Sequence, residues 1–353
     1  MFGMIQRALL ILAALPVLVL AQSAPTTATS ATSRAATSPA TAPRASGANP
    51  IGLMVGGGKL TVQQRVDLAK LLGAAYFRPM DVSMEEWKGT PPDAQAAQKA
   101  GLKLILTVRA NGKISPIATP TNPPTDLPAY GKTLGAILDT LKPELLVVEN
   151  EETSGASYTG TPEQYSQQLK VACEVAHSKG VKCTNGGLSG NMLMMLVCDS
   201  YRRKGEDYKA DDFLKRVSTP QQVAMMRTTL GKQRADETIK KGKELLKGYK
   251  AAGIDYVNFH WYVIDPDALQ ETVEFLKAET GLDAITNEIG QRDQRPTVVR
   301  GLLMKVAELK LPYAIWYSMD RLESRGLQEP DGTPRENGVT FQATVQAQFI
   351  RRR

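Results

Sequence analysis

From Asn49 onward, short apolar runs alternate with longer stretches whose apolar positions recur at helical period. The short runs predict eight strands: Ile51–Val55, Ala74–Phe77, Leu102–Val108, Leu145–Val148, Val181–Thr184, Tyr256–Phe259, Ala284–Thr286 and Tyr313–Tyr317. The intervening helices carry explicit start signals. Thr61 to Gln64, Thr161 to Gln164 and Thr219 to Gln222 read as capping boxes. In each, a hydroxyl accepts from the third amide and a side-chain amide returns to the cap. Pro162 and Pro220 stand at first helical positions, where a missing N–H costs nothing. Asp265-Pro266 opens a further helix, and Gly180 and Gly253 end helices shortly before the next strand.

Strict strand–helix alternation requires a parallel sheet, because each crossover is a helix. Eight such units closing on themselves predict an α/β fold, a single-domain TIM (β/α)8 barrel over residues 49–353. The chain exceeds a minimal barrel in two places: a Pro-rich loop, Ala110–Ala129, and a helical insertion after strand five, Gly186–Ser218. An open doubly wound sheet is the alternative. It would want a phosphate-binding turn after the first strand, and Gly56-Gly57-Gly58 lacks the G-x-G-x-x-G spacing.

The first 48 residues follow a different pattern. Arg7 precedes an apolar run from Leu9 to Leu20, too short to span a bilayer comfortably, and Val19-Leu20-Ala21 offers a cleavage site. Residues 1–21 therefore read as a signal peptide. Residues 22–48, nearly all Ala, Thr, Ser and Pro, read as a disordered tether. The expectation is a secreted or periplasmic protein with no stable membrane insertion once the signal is removed.

Lys and Arg total 43 against 36 Asp and Glu, a net charge of +7, but the first acidic residue is Asp67, so part of the excess lies in the signal and tether. The rest is scattered in short runs such as Arg202-Arg203-Lys204 and Arg351 to Arg353, without the basic–aromatic alternation of a single-strand binder, so nucleic acid is not an expected partner. Cys173, Cys183 and Cys198 are odd in number; export would permit any one of three pairings. Cys173 and Cys183, in a helix and a strand pattern, read as buried hydrophobes rather than reactive thiols. Oligomeric state is not specified by the pattern.

A barrel carries its chemistry at the C-terminal ends of its strands. Those positions hold Arg78 after strand two, Arg109 and Asn111 after strand three, and Glu149-Asn150-Glu151-Glu152 after strand four. They continue with Asn185, then Asn258 to Tyr262, then Asn287-Glu288, then Trp316-Tyr317. Of two histidines only His260 is among them, so a site of two or three His ligands is excluded and neither metal nor cofactor is expected. Two carboxyl groups across a barrel mouth suit glycoside hydrolysis, one protonated to donate to the leaving oxygen and one ionised to attack. Strand alternation would send Glu149 and Glu151 to the same side.

This set resembles the retaining TIM-barrel glycoside hydrolases of clan A, which include cellulase-, mannanase-, β-xylosidase- and β-galactosidase-like families. The similarity runs from Ile51 to about Tyr317 and rests on Asn150-Glu151 after strand four and Glu288 after strand seven. It implies a β-glycosidase acting with retention, with Glu151 as acid/base and Glu288 as nucleophile. It further implies substrate-binding or supporting roles for Arg78, Asn150, His260 and Tyr262, and a platform under the reacting sugar at Trp316. The expected partner is an oligosaccharide or polysaccharide. With aromatics at 6 % and three Trp, a short site is favoured over a long stacking cleft. The competing reading is a non-catalytic carbohydrate-binding barrel of the cell envelope.

Overall fold

The computed structural model describes residues 48–114, 118–229, 231–290, 295–319, 326–329 and 331–350. The expected signal peptide and almost all of the tether, and the Arg351 to Arg353 tail, lie outside the described residues.

Eight parallel strands form the barrel: β1 (Ile51–Met54), β2 (Tyr76–Arg78), β4 (Lys103–Arg109), β5 (Leu145–Val148), β6 (Lys182–Asn185), β7 (Val257–Trp261), β8 (Ala284–Ile289) and β9 (Ala314–Trp316). A two-residue strand, β3 (Val82–Ser83), adds to β4 beyond the end of β2. The hydrogen-bonded order is β6-β5-β4-β2-β1-β9-β8-β7. The circle closes through bridges from Thr184 to Tyr256 and from Leu188 to Phe259, so the sheet is a barrel and not an open doubly wound sheet. At this seam side chains supplement the ladder. Asn258 N–H donates to Asn185 Oδ1 at 2.7 Å, Asn185 Nδ2 to the Asn258 carbonyl at 3.0 Å, and Asn258 Nδ2 to the Asn185 carbonyl at 3.0 Å.

The expected caps are present. Thr61 and Thr161 form capping boxes at the starts of α1 (Val62–Leu71) and α4 (Pro162–Ser178). Thr219 and Gln222 exchange the same pair of bonds. Asp265 caps α9 (Pro266–Thr280), and Gly253 ends α8 (Gln233–Ala252) in the left-handed conformation. The insertion after β6 is larger than the predicted Gly186–Ser218, with α5 (Gly190–Arg203) and α6 (Asp207–Val217) followed by α7 (Pro220–Thr229). Among the described residues no helix is long and apolar enough to cross a membrane.

Two apolar layers hold the fold. Inside the barrel, Tyr76, Ile105, Leu145, Val147, Ile285, Tyr313 and Ile315 fill the lower lumen. Gly52 is required there, because a Cβ would meet Ile315 Cδ1 at 2.5 Å and Tyr76 Cβ at 2.8 Å. The alternate residues, such as Leu146, Val148 and Trp316, face outward into the larger core shared with the helices. Cys173 of α4 and Cys183 of β6 form a disulfide across that layer, which corrects their reading as plain buried hydrophobes. Cys198 is free and buried.

Candidate active site

The mouth of the barrel is organised by Arg78, the last residue of β2, whose side chain is wholly buried. Its Nη1 donates to Glu288 Oε1 at 2.7 Å and to the Asn287 carbonyl at 2.9 Å. Its Nη2 donates to Asp81 Oδ1 at 3.2 Å and Asn150 Oδ1 at 3.3 Å. One guanidinium thus ties strand β2 to the loop after β5 and to β8. A buried cation so surrounded keeps its charge, and burial is outweighed by Glu288 and Asp81.

Glu288 receives more. The Tyr262 hydroxyl donates to its Oε2 at 2.5 Å, and His260 Nδ1 lies 3.4 Å from the same oxygen. Burial alone would raise this carboxyl, but the charges of His260 and Arg78 and the bonds from Tyr262 and Arg78 prevail and hold it down at about 2. The Tyr262 hydroxyl is pushed well above its ordinary range by burial and by Glu288, so it stays a donor.

A bulge in β8 makes this possible. Between the pairs Asn258–Ile285 and His260–Glu288, β7 advances two residues while β8 advances three, and a matching shift occurs against β9. The extra residue lets consecutive side chains, Asn287 and Glu288, both contact groups of the barrel mouth, re-aiming a side chain as bulges do.

Glu151 sits in the loop after β5 with its side chain about one-third exposed, 31 %. His260 Nδ1 is 3.1 Å from its Oε1. Because both carboxylates reach one nitrogen, Glu151 Oε1 and Glu288 Oε2 are at most about 6.5 Å apart, the lower edge of the spacing that admits a water between them. The loop is held in an unusual backbone: Glu149 (φ 66°) and Glu151 (φ 46°) are both left-handed. This breaks the expected alternation. Glu149 turns away from the mouth and accepts from Ala110 N–H at 2.8 Å and Gln168 Nε2 at 2.6 Å, so it is a structural residue that anchors α4. Burial raises its carboxyl to about 7 against those hydrogen bonds.

Trp316 corrects a further expectation. Only 1 % exposed, it points outward and packs edge-on against Phe341 of α11 (Glu336–Gln348), so it offers no face to a ligand. Strand parity sends Ile315 inward, and the next inward position is Tyr317, half-buried and edge-on to Tyr262 at 5.8 Å between centroids.

The structure therefore brings together Arg78, Asn150, Glu151, His260, Tyr262 and Glu288, and leaves Trp316 out. Groups with no role assigned from sequence complete the set: Asp81, Tyr317, and the asparagines 185, 258 and 287. Asn185 and Asn287 had a readable signal, since each directly follows an apolar strand run, whereas Asn258 lies inside one. His177, on α4, pairs at the surface with Asp255 at 2.9 Å. From Glu151 and Tyr262 a cleft of about 530 Å³ extends over the insertion, lined by Ser189, Met194, Val217 and Gln222. Among the described residues no group of three His, Cys, Asp or Glu is arranged to hold a metal ion.

No family model and no curated protein matches the chain in sequence. Solved structures match its fold. An endo-β-1,3-glucanase of GH128 subgroup I from Amycolatopsis mediterranei, in complex with laminaripentaose, superposes with a TM-score of 0.51 at 12 % identity, over 84 % of this chain and 99 % of that one. A subgroup II endo-β-1,3-glucanase from Sorangium cellulosum gives 0.51 at 13 % identity, over 84 % and 98 %. An endo-β-1,4-mannanase from Thermotoga petrophila gives 0.51 at 12 %, over 85 % and 77 %. At these identities the likeness is one of fold, the TIM barrel.

Proposed function

We propose that the chain is an exported retaining β-glycosidase whose nucleophile is Glu288 and whose acid/base is Glu151. The observation that carries this reading is the unlike setting of two carboxyl groups at one barrel mouth. Glu288 is buried and held ionised by Arg78, His260 and Tyr262. Glu151 stands within reach across the same histidine, partly open to the cleft. Two carboxyl groups in unlike environments are what acid and nucleophile require.

In the first step Glu288 attacks the anomeric carbon as Glu151 gives its proton to the departing oxygen. The carbon–oxygen bond to the leaving group breaks and a glycosyl ester forms on Glu288. In the second step Glu151 removes a proton from water, which displaces Glu288 and restores both carboxyl groups. Two inversions leave the configuration unchanged. Asn150, oriented by Arg78, stands beside Glu151 as the candidate contact for a sugar hydroxyl, and Tyr317 replaces Trp316 as the candidate ring beneath the reacting sugar.

Export is supported by the N-terminal sequence pattern and by the Cys173–Cys183 disulfide, a bond at home in an oxidising compartment. The fold neighbours act on β-1,3-glucan and β-1,4-mannan, which selects the first substrates to try.

The test is hydrolysis of an aryl β-glycoside panel together with laminari- and manno-oligosaccharides, following the anomer released first by NMR. Turnover giving the β-anomer, lost in Glu288→Ala and restored by azide as an α-glycosyl azide, is expected. Binding of oligosaccharide without turnover would replace this reading with a carbohydrate-binding barrel, and an α-anomer as first product would exclude retention.

A further inference from the structure

The hydrogen bonds around His260 determine which of its nitrogens carries the fixed proton. A backbone N–H can only donate, so it fixes the role of whatever it meets. Asn287 N–H donates to Asn258 Oδ1 at 2.9 Å, which sets the orientation of the Asn258 amide. Asn258 Nδ2 must then be the donor in its 2.7 Å bond to Asn287 Oδ1. Asn185 is set in the same way, because its Oδ1 accepts from Asn258 N–H while its Nδ2 donates to Glu152 Oε1 at 3.0 Å. With Asn287 Oδ1 established as an acceptor, His260 Nε2, 2.9 Å from it, must be the donor. The Gly187 backbone (φ 107°) lies against the ring, close enough that a Cβ there would collide with His260 Nε2.

We propose that Asn287 is a positioning residue that holds His260 in the Nε2–H form, leaving Nδ1 as the one nitrogen able to share the proton of Glu151. The consequence for catalysis rests on the glycosidase reading above; the tautomer does not.

The charges facing His260 are Glu151 and Glu152 from the loop after β5, Glu288 from β8 and Arg78 from β2; Tyr262 reaches the same Glu288 oxygen. While Glu288 is ionised, Glu151 and Nδ1 hold one proton between them. Glu151 passes a proton to the leaving oxygen, and the pair recovers one when water attacks in the second step. With the tautomer pinned, losing that proton leaves a carboxylate facing the lone pair of Nδ1, which is unfavourable. The pinned imidazole therefore holds its Nδ1 proton more firmly than a freely tautomerising one would. Without Asn287 the neutral ring can keep its proton on Nδ1, facing the carboxyl groups, and give up the one on Nε2, which makes the imidazolium easier to deprotonate.

Only two histidines are present, so His177→Gln leaves His260 alone in a spectrum of the ¹⁵N-histidine-labelled full chain. Two-bond proton–nitrogen correlations at alkaline pH should show the Nε2–H form. Asn287→Ala should show Nδ1–H, and both the alkaline limb of kcat/KM and the deprotonation of His260 followed by NMR should move down by about one pH unit, the scale of one hydrogen bond to a charged group. Asn287→Asp, which keeps an acceptor for Nε2–H, should retain the Nε2–H form and should not lower the limb. An Nδ1–H form in the parent protein overturns the proposal, as does an Asn287→Ala protein whose tautomer and deprotonation are unmoved. If every glycoside assay is silent, the NMR titration still decides the tautomer, so the two readings fail separately.

Discussion

Tyr262 donates its hydroxyl hydrogen to Glu288 at 2.5 Å, on the carboxylate oxygen opposite the one that Arg78 holds. The bond orients the proposed nucleophile and stabilises its charge, so its removal should be felt in the glycosylation step. A hydrogen bond to a charged group contributes about 1.5–3 kcal/mol, which corresponds to roughly a 10- to 150-fold change. Tyr262→Phe should lower kcat/KM by that factor while leaving the fold intact, as read by circular dichroism and activity on an aryl glycoside.

Arg78 and His260 together keep Glu288 ionised down to about pH 2. Its pKa is depressed on folding, so its stabilising share is full above the ordinary carboxyl range and is lost as pH falls toward about 2. Protonation of the nucleophile should therefore give no acidic limb in kcat/KM around pH 4 to 5. Arg78→Gln should bring such a limb into that range and lower the rate at neutral pH. Unchanged pH dependence in this variant would show that Arg78 does not set the charge of Glu288.

Glu149 has the opposite sign. Its folded-state pKa of about 7 lies above the ordinary 4.5, so between those values the folded protein binds more proton than the unfolded chain. Stability then falls as pH rises through this window and levels off above about 7, a loss of order 3 kcal/mol. Glu149→Gln keeps an acceptor for Ala110 and Gln168 and carries no charge. The variant should match the parent near pH 4.5 and exceed it by several degrees in Tm at pH 8.

The Cys173–Cys183 bond closes a short loop, with a sequence separation of 10. Loops of this size contribute about 2–3 kcal/mol by restricting the unfolded chain. Replacing both residues by Ser should lower the urea midpoint accordingly, and dithiothreitol should do the same to the parent but not to the double variant. Cys198, buried and with its thiol pushed up to about 12, should remain unlabelled by thiol reagents in the folded protein.

Much of this fold could be read from the chain because apolar runs and capping signals are local properties. All eight barrel strands fall on the predicted runs, and Thr61, Thr161 and Asp265 cap the helices they were expected to cap. The site was legible as a list of strand ends and less so as directions. Trp316 and Ile315 are both apolar, so the pattern of that run does not say which parity faces the lumen; packing against Phe341 decides it. The simultaneous inward approach of Asn287 and Glu288 depends on a bulge, a relation between three strands that no single segment encodes. Glu149 departs from alternation because its backbone turns left-handed just past the strand. The disulfide depends on where α4 lies across β6, which periodicity cannot supply.

The seam between β6 and β7 joins the two neighbouring strands that lie farthest apart in the chain save for the first and last, with α5, α6, α7 and α8 between them. The mutual grip of Asn185 and Asn258 reinforces its backbone bridges, and Asn258 is also the residue that orients Asn287 beside His260. Barrel closure and the setting of the imidazole thus share one amide, that of Asn258. Were this clasp to open, Asn287 would lose the bond that orients it and His260 the acceptor that sets its tautomer. A substitution that loosens this clasp would therefore reach the imidazole as well as the sheet, although it lies on the strands and not among the carboxylates.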